Sequence, residues 1–141
     1  MLREEALRAL RGSDLILHAG DVGAPEILEA LKTVAPVVAV RGNVDTGRWA
    51  QALPLTEVIQ AGSTTVYMLH ILHDLDINAT SAGIHIVVSG HSHKPEQTEK
   101  GGVLYVNPGS AGPRRFRLPV TVARVDLGVR PWRVEFVQLE G

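Results

Sequence analysis

The stretch "VVSGHSHKPEQ", Val87 to Gln97, decides how this chain is read. A short apolar run ends in a glycine, and two imidazoles follow two residues apart, His91 and His93. In extended backbone, alternate side chains point the same way, so both rings can reach one site. A single histidine there would pass for an ordinary hydrogen-bonding residue. The reading therefore depends on whether other strands in the chain end in the same manner.

They do. "LILHAGD" delivers Asp21, "VVAVRGN" delivers Asn43 and "TVYMLH" delivers His70, each just after an apolar run. In open α/β sheets, ligands bind in the crevice beyond the carboxyl ends of the strands. Taken alone, Asp21 and Asn43 read equally well as turn residues. Five such placements along one chain argue for a shared site. One carboxylate, one carboxamide and three imidazoles, in a sequence without cysteine, suit Mn²⁺, Fe, Co²⁺, Ni²⁺ or Zn²⁺ rather than Ca²⁺ or Cu⁺.

Working outward, the first half alternates helix and strand. "LREEALRAL" places Leu2, Ala6 and Leu10 on one face, and Gly12 follows as a stop. "DLILHAG" reads as a buried strand, "PEILEALKTVA" as a helix opened by Pro25, and "PVVAVRGN" as a second buried strand. After Pro54 the texture changes to strands and hairpins: "LTEVIQ", "TTVYMLH", "IHIVVSG", "EQTEK", "VLYVNPG", "VTVARVDL" and "WRVEFVQLE", with turns at "AGS", "KGG" and "GVRP". "DINATSAG" is expected to form a short helix. The fold class is α/β, two packed sheets with helices outside, in a single domain over residues 1–141.

Composition narrows the function classes. The 141 residues are 45% hydrophobic and 21% charged, which suits a folded core and argues against disorder. A net charge of −1 gives no general grip on long nucleic acid or an anionic membrane. The start has no apolar h-region, and no apolar run nears the roughly 18 residues that span a bilayer, so a cytoplasmic location is expected.

The ordered motifs "GDVG", "GNVD", "MLH", "GHSHKP" and "YVNPGSAGPRRF" resemble the calcineurin-like metallophosphoesterase superfamily. The resemblance is nearest to its small bacterial and archaeal phosphodiesterase branch, which shares its fold with the retromer scaffold Vps29. It implies a four-layer α-β-β-α sandwich of two mixed sheets. It also implies a phosphodiesterase that uses a dinuclear metal centre and metal-bound hydroxide on a phosphodiester substrate, with Mn as the expected metal. By that resemblance Asp21 bridges two metals, Asn43, His70 and His91 complete one site, and His93 binds the other. His70 fits this role better than His73 because it directly ends its strand. Ile71 follows it where the family often has glycine. Arg114, with Arg115 beside it, is a candidate phosphate-binding residue, and a solvated pair is the favoured reading of the two. His18 is read as a core or supporting residue, and His85 as exposed. Asp45 is read as orienting its own loop, and Asn107 and Ser110 as shaping a turn. Val44 stands where many relatives carry a histidine that protonates the leaving group, so esters with good leaving groups are expected to react best.

The family's Asp-x-His motif does not occur in this sequence. Its place would be a strand and loop ahead of "LREEALRAL", so the fold is expected to lack its first strand. A start assigned too late, a truncated descendant, or completion by a second copy would each account for this. An edge left unpaired there would leave room for a homo-oligomer. The alternative to catalysis is a Vps29-like interaction scaffold, non-catalytic or holding one metal.

Overall fold

The computed structural model describes residues 4–43, 45–92, 94–109, 120–127 and 132–139. In chain order these form α1 (Glu4–Leu10), β1 (Ile16–His18), α2 (Pro25–Lys32), β2 (Val37–Ala39), α3 (Arg48–Gln51), β3 (Thr56–Ala61) and β4 (Thr64–Leu69). A 3-10 turn at Leu72–Asp74 follows, then β5 (Ile86–Val88), β6 (Glu96–Lys100), β7 (Val103–Asn107), β8 (Val120–Asp126) and β9 (Arg133–Leu139).

The centre is a five-stranded mixed sheet in the order β3-β4-β5-β7-β6. β4, β5 and β7 run parallel in its middle, and antiparallel hairpins close both edges. Parallel register aligns Val66 with Ile86 and Leu104, and Met68 with Val88 and Val106. Strand alternation puts these six on one face, where they form the main core with Ala19 and Val40. Tyr67, Val87 and Tyr105 align in the same way and turn to the opposite face. There they meet Leu75, Ala79 and Ile84 from the 71–85 segment. Met68 and Val87 are wholly buried. Each such side chain contributes about 1.5–3 kcal/mol of transfer free energy.

The second β layer lies over the first face. It consists of the parallel pair β1-β2 and the antiparallel pair β8-β9. Leu17 and Val38 from one pair, with Val125 and Val134 from the other, pack on the same main core. Outside this layer sit the helices. α1 buries Ala6 against Val122 and Leu139, and α2 buries Leu31 against Ile16 and Ala35. Pro25 begins α2, its fixed φ suiting the first helical turn.

The α/β class and the layered arrangement match the expectation, as do both helices and all nine strands to within a few residues at their ends. Three local readings differ. "DINATSAG" forms turns instead of a helix, closed by Ala82 N–H to the Asn78 carbonyl and Ile84 N–H to the Ala79 carbonyl. The single turn α3, with Ala50 buried, has no periodicity from which to be read. His85 is partly buried, its ring edge-on to Trp132 at 5.8 Å, where exposure was expected.

Candidate metal centre

Asp21, Asn43, His70 and His91 follow β1, β2, β4 and β5 respectively, all at carboxyl ends of parallel strands. The first two belong to one β layer and the last two to the other, so the site lies on the seam between layers. Glycines permit the contact. A Cβ on Gly42 would overlap the Asp21 backbone nitrogen and carboxylate, and one on Gly20 would sit 2.9 Å from the Gly42 Cα. The loops after β1 and β2 therefore touch backbone to backbone.

Two of the candidate ligands have left-handed backbone, Asp21 at φ 57° and His91 at φ 71°. At His91 the Ser92 N–H reaches back to the Gly90 carbonyl at 2.9 Å, a γ-turn of the strained kind. Non-glycine residues in such conformations cost on the order of 1–3 kcal/mol and are held there by their surroundings. Asn107 supplies part of that hold. Its amide donates to the Gly90 carbonyl at 2.9 Å and to Ser92 Oγ at 3.0 Å, and its Oδ1 accepts the Gly109 N–H. Gly90 N–H, in turn, donates to the His70 carbonyl at 2.9 Å.

One ligand atom from each of Asp21, His70 and His91 falls within 4.8 Å of the others. His70 is buried, Asp21 partly so, and His91 opens to solvent. The His70 ring meets the His91 ring edge-on at 5.2 Å. His70 Nδ1 lies 2.7 Å from the Ala19 carbonyl oxygen, which can only accept, so Nδ1 carries the proton. In the neutral ring this leaves a lone pair on Nε2. That atom is sealed from solvent, makes no hydrogen bond, and lies 3.3 Å from Asp21 Oδ2. Nε2 is thus turned toward the Asp21 carboxylate across a gap of that length. A cation fits that gap, and a backbone carbonyl fixing the far nitrogen is the usual support of a metal-binding imidazole.

Asn43 is exposed in the turn just beyond Gly42. His93, Val44, Ser110, Arg114 and Arg115 lie outside the described residues. His18, at the end of β1, is sealed at Nδ1 without a hydrogen-bond partner. Burial holds its imidazole below the ordinary 6.5, and the charges of Asp45 and Asp21 oppose that shift without overcoming it. The contribution of the Ala19 carbonyl was invisible in the sequence, since it depends on β1 and β4 meeting across layers. The one available signal was the glycine in each of "AGD" and "RGN".

Known proteins resemble this chain in sequence and fold. The model of the calcineurin-like phosphoesterase superfamily domain matches residues 1–129. A probable metallophosphoesterase of Methanothermobacter thermautotrophicus is 34% identical over 131 residues, covering 87% of this chain and 76% of its own. Among solved structures, a predicted phosphoesterase of Streptococcus pneumoniae TIGR4 superposes with TM-score 0.73 at 28% identity, covering 96% of this chain and 80% of its own. Vps29 from Entamoeba histolytica, solved with Zn²⁺, superposes at 0.75 with 24% identity, covering 98% of this chain and 90% of its own. At that identity the likeness speaks for the fold. The chain belongs to the calcineurin-like phosphoesterase superfamily.

Proposed function

We propose that the chain is a metal-dependent phosphodiesterase whose centre is built on Asp21, Asn43, His70 and His91, with His93 as a ligand for a second metal. The convergence of Asp21, His70 and His91, with His70 Nε2 3.3 Å from Asp21 Oδ2 and its Nδ1 held by the Ala19 carbonyl, carries this reading. The donor set of oxygen and imidazole nitrogen suits Mn²⁺, with Fe, Co²⁺, Ni²⁺ and Zn²⁺ as alternatives.

When bound, a divalent ion supplies positive charge for a phosphoryl oxygen and a means of ionising water near neutral pH. The residues do the rest. Asp21 would bring a carboxylate to the seam, and His70 would offer a lone pair held in one orientation by the Ala19 carbonyl. His91 would close the site from the solvent side, on a backbone held by Asn107. Arg114 is the proposed contact for substrate phosphate. With Val44 where a proton-donating histidine would stand, the leaving group departs with little acid help, so activated aryl diesters are the favoured substrates.

Purified chain with added Mn²⁺ should hydrolyse an activated aryl phosphodiester, and Asp21→Asn should remove at least nine-tenths of that rate. An inert wild-type protein would defeat the enzymatic reading. The superposition on Vps29 favours one other role, a scaffold on the same fold. A partner complex that survives chelation, together with absent turnover, would support it.

A further inference from the structure

Asp45 is a carboxylate only 6% exposed. Its two oxygens are divided between two loops. Oδ1 accepts the Gly23 N–H at 2.8 Å, and Oδ2 accepts the Gly42 N–H at 2.8 Å. Gly23 lies two residues after Asp21, and Gly42 lies one residue before Asn43. Asp45 N–H also returns to the Gly42 carbonyl at 3.3 Å, so the turn containing Asn43 is closed at both ends by this residue. The sequence suggested that Asp45 orients its own loop; here it also holds the Asp21 loop.

The choice of side chain is informative. A carboxylate accepts on both oxygens, whereas a carboxamide presents an NH2 on one side and would set a donor against a donor. Among side chains of this length, an ionised aspartate alone can accept from both loops. A buried carboxylate is costly unless its hydrogen bonds are made, and here each oxygen has one.

We propose that Asp45 is a positioning residue of the metal centre, a staple whose two hydrogen bonds set the separation of Asp21 from Asn43 and thereby the affinity for the ion. This rests on the metal reading above. Supporting residues of this kind change metal affinity about 10–100-fold when altered. The Asp21 loop has strained backbone to hold, with the non-glycine Asp21 at φ 57°, so releasing Gly23 lets Asp21 relax away from the site.

The test uses the full chain and Mn²⁺, in two measurements. First, Mn²⁺ affinity is compared for wild type and the isosteric Asp45→Asn by calorimetry, with circular dichroism as the check on folding. A drop of 10-fold or more in a folded variant supports the proposal. Unchanged affinity overturns it, even if the melting temperature falls. Second, amide exchange of Gly23 and Gly42 is followed in the wild type with and without Mn²⁺, which requires no variant to fold. Linkage is reciprocal, so slower exchange at both amides on metal binding is expected, and exchange indifferent to metal overturns the proposal. If wild type binds no Mn²⁺, the metal reading fails, and this inference with it.

Discussion

Substituting Gly42 with alanine would drive a methyl group into the Asp21 backbone and carboxylate, with no flexible neighbour to give way. Forced overpacking of this kind costs about 1–3 kcal/mol. Gly42→Ala should therefore lower stability by that amount in urea denaturation and weaken Mn²⁺ binding as the two loops separate. A second residue-level effect concerns pH. The folded chain holds His18 below its ordinary 6.5, so the unfolded chain takes up the proton first as pH falls. The stability contributed by the neutral imidazole is present above about 6.5 and is lost as pH drops from there through the lower folded value. The metal-free protein should accordingly melt lower at pH 5.5 than at pH 7.5, and His18→Leu should flatten that dependence. At this scale the sequence was informative about identity: Asp21, His70 and His91 could be named from strand ends. Their support could not. The Ala19 carbonyl, the reach of Asp45 to Gly23 and the Asn107 bonds to Gly90 and Ser92 join residues 15 to 51 positions apart. Only the assembled layers bring them together.

Local turn chemistry made the hairpins legible at the scale of elements. Gly62 at φ 62° begins the two-residue turn between β3 and β4, and Gly101 and Gly102, both at positive φ, form the turn between β6 and β7. Such turns match the twist of the strands they join, which is why "AGS" and "KGG" marked them. A Cβ on Gly62 would meet nothing within 4 Å, so its replacement isolates the backbone cost. Gly62→Ala should destabilise by about 1–2 kcal/mol, the cost of placing an L-residue in left-handed geometry, and Gly62→Asn by less. Chemical denaturation of both variants checks this. The segment "DINATSAG" shows the limit of the same reasoning. Asn78 accepts the Ser81 N–H on its side chain and the Ala82 N–H on its carbonyl, so one turn forms there and goes no further before Gly83 at φ 76°. Ala79 and Ile84 then supply the apolar contacts to the sheet.

For the whole molecule, the arrangement has one consequence that neither layer has alone. The proposed centre would take Asp21 and Asn43 from one layer and His70 and His91 from the other, so an ion there would cross-link them. A ligand held only by the folded state stabilises it by mass action, about 2.7 kcal/mol at a hundred times Kd. Saturating Mn²⁺ should therefore raise the melting temperature, and chelator should reverse the rise. The alternation of apolar residues made the layers themselves readable. The approach of His70 Nε2 to the Asp21 carboxylate at their seam became visible only in three dimensions. The measurement closest to that claim is equilibrium dialysis of chelator-treated protein against Mn²⁺, run beside Asp21→Asn and His70→Gln. At least one ion per wild-type chain, with affinity reduced 10-fold or more in each variant, is the predicted result. No bound ion, or binding indifferent to both substitutions, would contradict it.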